Sequence, residues 1–350
     1  MLIPNRNSTI CIIGAGGIVN DAHLPAYAIA GFKVAGIFDR DVEKAKNLAD
    51  KFAIPTAYES LDQMVAAHPN AIFDMALPAS EIIPILEQLP HGAAVLIQKP
   101  LGTNYQEALA IKACTERKSM KAGVNFQLRY APFIQAAKEM VTRGDIGELY
   151  DIEVHVNVFT PWHLWTFLYG KPRLEILYHS IHYLDLVRSF LGDPVGIYAK
   201  TVKHPSLQNL ASVRTNMIMD YGETVRANIL TNHCHEFGYH NQQSYIKFEG
   251  TEGAIKINMG VLIDYPRGVP DKFEFVIMEQ GKQPEWQELT IEGGWFPHAF
   301  IGTMQQVMLC AEGKIATPGN SVDDALKTMA CVEAAYLSSE KGSIPISTIQ

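Results

Sequence analysis

Between Thr9 and Asp39 the chain reads TICIIGAGGIVNDAHLPAYAIAGFKVAGIFD, and that order leaves few folds open. Ile10, Ile12 and Ile13 make a short apolar run of the kind found in strands buried on both faces, and Gly14 ends it abruptly. Gly14 and Gly16 lack Cβ atoms, so the backbone can turn tightly and a pyrophosphate can approach the amide N–H groups at the start of a following helix. Gly14, Gly16, Gly17 and Ile18 are therefore the candidate phosphate cradle. A second strand, Lys33 to Phe38, ends at Asp39, about twenty residues beyond the turn, where a carboxylate would meet an adenosine ribose. Asp39 would accept both ribose hydroxyls and repel a 2′-phosphate, which favours NAD. Arg40 could stack on adenine or accommodate that phosphate, so NADP use stays open. The third glycine of GxGxxG is Val19 here, at the position that normally allows close packing of helix on strand.

Downstream the alternation of strand and helix continues. Helical spacing covers Val42 to Phe52 and about Leu61 to Ala67, and apolar strands fall at Ala71 to Leu77, Ala94 to Ile97 and Lys121 to Phe126. Ser80 and a Thr103/Gln106 capping box are expected to start two of the intervening helices. Such a series predicts a parallel sheet covered by helices, with ligands at the carboxyl ends of its strands, where Gly14, Asp39, Leu77 and Gln98 to Pro100 fall. Beyond Gln127 the pattern changes to a helix over Pro132 to Thr142, an alternating strand over Tyr150 to Phe159, and a long helix over Leu174 to Leu191. Strands then dominate: Gly196 to Lys203, Val213 to Asp220, Thr224 to Cys234, and a hairpin over Tyr245 to Ile257 that turns through Gly250 to Gly253. Helices at about Ala299 to Ala311 and Val322 to Glu340 close the chain. The expected class is α/β: an N-terminal Rossmann domain over 1–126 with a doubly wound parallel sheet, and a C-terminal α+β domain over 127–350 with a large, mostly antiparallel open sheet. Its strands alternate through Val225, Ala227 and Ile229 and through Tyr245, Ile246 and Phe248, offering apolar surface for self-association.

With 350 residues, two domains can each build a core. The formal net charge of −8 and the lack of any Lys/Arg run argue against nucleic acid or an anionic membrane as partner. Five scattered cysteines with no CxxC pair read as reduced core thiols, and the N-terminal residues carry no apolar signal segment, so a cytoplasmic location is expected.

Three stretches could carry chemistry. Lys99 ends an otherwise apolar strand, and Pro100 keeps its backbone extended; a desolvated lysine there could exchange protons near neutrality, or it could be an ordinary lysine at a strand-to-loop junction. On the 174–191 helix, Leu174, Leu177, Ile181, Leu184, Val187 and Leu191 form an apolar stripe, and Tyr178, His182 and Asp185 share a neighbouring face. His182 could take the proton of an alcohol while Asp185 holds the ring, or be a satisfied buried histidine. His233 and His235 share a strand face but lack the acids or thiolates that would complete a metal site, so they read as a polar sheet face and no metal is expected.

Taken together, GAGGIVNDAHLPAY, the acid at Asp39, LPA at 77–79, QKPLG at 98–102 and HSIHYLDLVRSFLG at 179–192 resemble the Gfo/Idh/MocA family of NAD(P)-dependent sugar and polyol oxidoreductases, a likeness that extends to EGTEG at 249–253. The resemblance implies a Rossmann domain followed by a domain whose open sheet mediates homodimers or homotetramers. It implies nucleotide contacts at Leu77, Pro78, Gln98, Lys99 and Pro100 besides the glycine turn, Asp39 and Arg40. The family's EKP motif maps onto Gln98, Lys99 and Pro100, making Lys99 the catalytic lysine and Gln98 a departure from glutamate. In its DxxxH motif the histidine maps onto His182 and the aspartate onto Tyr178, a second lost acid. Gln127 and Arg129, in an extended NFQLRY segment, and His179 become substrate candidates; Arg129 could equally tie the domains together. Trp162 and Trp165, in the loop TPWHLWTFLYG, could stack on sugar C–H faces. The implied activity is hydride transfer between NAD and a carbinol carbon of a sugar, sugar derivative or inositol-like polyol, with Lys99 and His182 relaying the proton. Two alternatives use the same scaffold: a glycosidase-like enzyme that oxidises a sugar transiently, and a non-catalytic nucleotide sensor.

Overall fold

A computed structural model describes residues 3–5 and 8–344. The first elements follow the apolar runs closely: β1 (Thr9–Ile13), α1 (Leu24–Ala30), β2 (Lys33–Phe38), α2 (Val42–Phe52), β3 (Ala57–Tyr58), α3 (Leu61–Ala67), β4 (Ile72–Met75), α4 (Ile82–Gln88), β5 (Ala94–Ile97), α5 (Tyr105–Arg117) and β6 (Lys121–Val124). All six strands pair in parallel, in the order β3-β2-β1-β4-β5-β6, so the sheet reverses direction of growth between β1 and β4. A crevice opens at the carboxyl ends of strands flanking such a reversal.

The capping assignments differ from those read in the sequence. Asn104, not Thr103, caps α5: its Oδ1 accepts from the Glu107 N–H at 3.0 Å while Glu107 Oε2 accepts from the Thr103 N–H at 2.7 Å. The reciprocal pair is thus one residue later than Thr103/Gln106. Ser80 lies inside a 3₁₀ turn, Ala79–Glu81, and makes no capping bond to α4.

The second set of elements comprises α6 (Pro132–Arg143), β7 (Leu149–Asn157), α7 (Ile181–Leu191), β8 (Gly196–Val202), β9 (Arg214–Asp220), β10 (Arg226–Asn232), β11 (Gln243–Gly250), β12 (Gly253–Asn258), β13 (Lys272–Ile277) and β14 (Gln287–Leu289). The eight strands order as β14-β13-β12-β11-β7-β10-β9-β8, antiparallel except for β7 with β10. Gly250 pairs with Gly253, which leaves Thr251 and Glu252 as the hairpin turn. Strands β13 and β14 were not legible in the sequence. The alternation expected to face a partner belongs to the core: Ala227, Ile229, Ile246 and Phe248 are fully buried, and Phe248 meets Phe190 of α7 at 4.7 Å between rings. The outer face carries Tyr198 and Ile218 instead.

Two further helices follow among the described residues, α8 (Ala299–Ala311) and α9 (Val322–Lys341). Contacts divide it into two compact units, one joining the chain up to Pro132 with Gly293–Met329, the other joining Phe133–Glu292 with the chain from Ala330 onward. Phe300, Met304, Val307 and Met308 of α8 enter the core that holds Ile10, Ile12, Tyr27, Ile37 and Leu96. Each such burial contributes roughly 1.5–3 kcal/mol, enough to bring this distant segment back to the parallel sheet.

Candidate active site

In the first unit the turn after β1 is held by main-chain bonds. The Gly14 N–H donates to the Phe38 carbonyl at 2.7 Å, and Gly14 has φ +105°; a Cβ there would stand 2.5 Å from the Ala76 carbonyl oxygen. A Cβ on Gly16 would meet nothing within 4 Å, so open space faces the turn. Gly17 is exposed and Ile18 half-buried beside it. Val19, where the fingerprint has its third glycine, is fully buried and starts a widened turn over Val19–His23, in which the Leu24 N–H reaches back five residues to the Val19 carbonyl. The extra residue per turn accommodates a side chain where glycine is usual.

Asp39 anchors this turn. Its Oδ2 accepts from the Ala15 N–H at 2.7 Å and its Oδ1 from the Asp41 N–H at 2.8 Å. Each carboxylate oxygen keeps a second lone pair for a ribose hydroxyl. Arg40, beside it, pairs with Glu81. Beneath the turn lies a buried chain that sequence reasoning missed. Thr303 Oγ1 donates to Asn125 Oδ1 at 2.8 Å, Asn125 Nδ2 lies 3.3 Å from His23 Nε2, and His23 Nδ1 lies 2.7 Å from Asp74 Oδ2, which also accepts from the Tyr27 hydroxyl. A carboxylate accepts only, so the ring proton sits on Nδ1 and Nε2 accepts from Asn125. The signal available was His23 and Asp74 as polar residues in apolar runs.

Leu77 and Pro78 follow β4, and Gln98, Lys99 and Pro100 follow β5, all at carboxyl ends. The Gln98 side chain folds back so that Oε1 accepts from the Lys99 N–H at 2.9 Å, and the Lys99–Pro100 peptide is cis. Burial pushes the Lys99 ammonium down to about 8, because a low-dielectric setting disfavours its charged form. Gln127 and Arg129 lie in a 3₁₀ turn, Gln127–Tyr130, rather than an extended segment. Gln127 is buried with its Oε1 unsatisfied by protein, while the Arg129 guanidinium binds Asp324 at 2.6 Å and the Gly319 carbonyl at 3.3 Å, all within the first unit.

In the second unit the aromatic stretch is a 3₁₀ segment, Trp162–Leu168, and not an open loop. Trp162 is buried against Leu168, Leu174 and Leu210, with Trp165 and Tyr178 packed on that cluster. Trp165 meets Tyr265 in a tilted arrangement at 5.4 Å, and Phe167, well exposed, meets Tyr178 edge-on at 6.3 Å. Of the predicted stripe, Leu174, Leu177, Ile181, Leu184 and Val187 are buried and Leu191 is half-buried, but His182, Tyr183, Asp185 and Arg188 are buried too, so α7 is enclosed on nearly every side. Before it runs a second widened turn, Ile176–Ser180, with the Ile181 N–H donating to Ile176 five residues back. That turn shifts Tyr178 and His179 relative to a plain helix.

His233 is not on a polar sheet face. It is buried just past β10, with Nε2 3.4 Å from Glu175 Oε1 and Nδ1 2.9 Å from Thr160 Oγ1. The His179 ring packs against it tilted, with centroids 4.5 Å apart, and Trp162 is edge-on to both. Glu175 is fully buried and also accepts from the Ser180 hydroxyl at 2.6 Å. Burial raises its carboxyl pKa, but His233, Ser180 and Thr215 outweigh that and hold it below the usual carboxylate value. His235 hydrogen-bonds Asn157. Among the described residues no cluster of three or more His, Cys, Asp or Glu could hold a metal.

Two family models match: the NAD-binding Rossmann fold of the oxidoreductase family over residues 8–126, and that family's C-terminal alpha/beta domain over residues 138–348. The chain belongs to the Gfo/Idh/MocA oxidoreductase family. Among relatives, D-apiose dehydrogenase of Paraburkholderia graminis is 24% identical over 338 residues, which span 95% of this chain and 87% of that one. D-xylose 1-dehydrogenase (NADP(+)) 2 of Haloferax volcanii is 23% identical over 269 residues, spanning 72% and 76%. In structure, an oxidoreductase from Agrobacterium radiobacter solved with NAD+, L-tartaric acid and magnesium aligns with a TM-score of 0.79 at 21% identity, covering 98% of this chain and 99% of that one, which shows the shared fold. As a Gfo/Idh/MocA member this protein is an NAD-binding oxidoreductase, and its residues fit the dinucleotide. The cradle at Gly14 is one a Cβ would fill, the space before Gly16 is open, and Asp39 keeps acceptor capacity where the ribose belongs.

Proposed function

We propose that this protein is an NAD-dependent dehydrogenase acting on a carbinol carbon of a sugar, sugar derivative or cyclic polyol. NAD, when bound, supplies the hydride acceptor. The observation that carries the reading is Lys99: a lysine at the carboxyl end of β5, following Gln98 in the family's motif position, whose pKa burial brings to about 8. Lys99 Nζ donates to the substrate hydroxyl and polarises it; His182 accepts the proton as the carbon gives up hydride, with Asp185 three residues on orienting the imidazole. Gln127, Trp165, Tyr178 and His179 contact the substrate; Trp162 supports the His179 ring edge-on, and the Arg129 guanidinium is engaged by Asp324. The carbohydrate class is supported by the names of the D-apiose and D-xylose dehydrogenases and by the aromatic surface of Trp165, Phe167 and Tyr178. NAD is preferred over NADP because the Asp39 carboxylate, held at the end of β2 by the Ala15 and Asp41 N–H groups, would repel a 2′-phosphate beside it.

A homodimer or homotetramer is part of this reading, supported by Tyr198, Val202 and Ile218 exposed on the outer sheet face. The reading places the enzyme in the cytoplasm, its five cysteines free and buried; no described helix is long and apolar enough to cross a membrane. The test is NAD with a panel of aldoses and inositols, followed by absorbance of the reduced nicotinamide. Reduction by at least one of them is expected. Binding of NAD without reduction by any would point to a sensor, and cleavage of aryl glycosides without net reduction to transient oxidation.

A further inference from the structure

Arg40 lies immediately after Asp39 at the end of β2, and Glu81 closes the 3₁₀ turn that follows β4. With the strand order β2-β1-β4, an ion pair between them reaches across the carboxyl end of β1, over the glycine turn. Arg40 Nη2 stands 3.1 Å from Glu81 Oε2, with the arginine side chain 76% and the glutamate side chain 32% exposed. Lys44, in the first turn of α2, is paired with Asp41 at 3.3 Å. A ribose 2′-phosphate beside Asp39 needs a guanidinium or ammonium to offset that carboxylate, and Arg40 and Lys44 each already face a carboxylate.

We propose that Glu81 determines nucleotide selectivity by engaging the Arg40 guanidinium and so withholding it from a 2′-phosphate. Asp39 disfavours NADP by direct repulsion; Glu81 does so by competing for the guanidinium that directly follows Asp39 in the chain. The exposure of Arg40 makes the competition real, because its side chain is free to swing between a carboxylate on the β4 side and a phosphate on the β2 side. The inference rests on the proposed NAD preference.

Dissociation constants for NADH and NADPH, measured by nucleotide fluorescence on the full chain, test it in Glu81→Gln, Arg40→Ala and the double variant. Glu81→Gln should lower the NADPH-to-NADH ratio of dissociation constants about fivefold at low salt, the size expected from releasing an exposed ion-pair partner. The gain should fade in ~1 M salt, where such charges are screened. In the Arg40→Ala background, Glu81→Gln should change the ratio less than about twofold, since no guanidinium remains to be released. An unchanged ratio in Glu81→Gln, or the same fivefold change without Arg40, overturns the proposal. Tighter binding of NADPH than NADH by the unmodified protein would instead overturn the NAD preference, and the double-variant cycle would still read the competition at Arg40.

Discussion

Both units place a widened turn where the sequence suggests plain helix, yet the two turns work differently. At Val19–His23 the widened turn carries His23 inward to Asp74 of β4, and the glycine turn before it is held by main-chain bonds and by the Asp39 carboxylate. At Ile176–Ser180 the turn folds around its own acid: Glu175 takes the Ser180 hydroxyl and faces His233, and what surrounds it is side chain throughout. Main-chain recognition tolerates variation in the residues around it, because every residue offers the same N–H. A side-chain cluster does not, and a single substitution changes its charge. The first turn accordingly keeps the glycine fingerprint apart from Val19, while in the second the family resemblance puts Tyr178 where the motif has an aspartate.

The difference is easiest to break at His233. His233→Ala removes the donor facing a fully buried carboxylate, and should cost ~3–5 kcal/mol of stability, read as a fall in the denaturant midpoint. The sign with pH follows from Glu175, whose folded pKa is depressed: its contribution is present above the unfolded value and disappears as pH falls through the lower folded value. Acid titration of stability should therefore lose that part in Glu175→Gln. A His233→Ala protein as stable as the original would mean that the cluster is not held by this pair.

Next in size is Lys99. Lys99→Ala should lower kcat by ~10²-fold or more with little change in nucleotide affinity, the loss expected for an acid–base group. Stability should move the other way. The folded pKa of about 8 lies below the ordinary lysine value of 10.5, so the folded state pays a desolvation penalty at neutral pH that is relieved as pH rises between the two. Lys99→Met should accordingly raise the melting temperature at pH 7, with the gain shrinking as pH climbs above about 8. Loss of stability in Lys99→Met at pH 7 would show that the ammonium has compensating partners worth more than its burial costs.

The same contrast explains what the sequence disclosed. Strands β1, β2 and β5 and helices α2 and α3 are set by local apolar patterning, which one stretch of chain contains in full. Asp39 was legible because its distance from the turn is fixed by one βαβ unit. The Glu175–His233 pair was not, since its members come from segments 58 residues apart that meet only through packing, and neither carries a spacing motif. Nor was α8 as a part of the parallel-sheet core: Phe300 and Met304 read as an ordinary apolar stripe, which says that something is covered but not what. Capping slipped by one residue at Asn104 because Thr103, Asn104, Gln106 and Glu107 offer overlapping boxes that only backbone dihedrals separate.

Smaller still is the effect at Asp39. Asp39→Ala removes charge-assisted bonds to two backbone amides together with the proposed bonds to the ribose, so NAD binding should weaken by roughly ten- to a hundredfold, about 1.5–3 kcal/mol. The NADP-to-NAD gap should narrow at the same time. Weakening of both nucleotides by the same factor would mean that Asp39 serves only to hold the turn.

The smallest change is Tyr178→Phe, and it asks whether the second turn's substitution is chemical or spatial. The Tyr178 ring already packs among Trp162, Leu174 and Phe167, contacts that phenylalanine preserves, so the fold should be unaffected. A tyrosine hydroxyl titrates near pH ~10 and is a poor base at neutrality, whereas the aspartate it replaces in the family would be ionised. If proton transfer belongs to His182, the phenol can only donate a hydrogen bond to substrate, and losing one neutral bond of about 0.5–1.5 kcal/mol should raise KM a few-fold and leave kcat nearly unchanged. His182→Ala should do the reverse, lowering kcat by ~10²-fold at similar KM. A collapse of kcat in Tyr178→Phe together with normal turnover in His182→Ala would assign the proton to the tyrosine. The lost acid at 178 would then be a change of mechanism rather than of pocket shape.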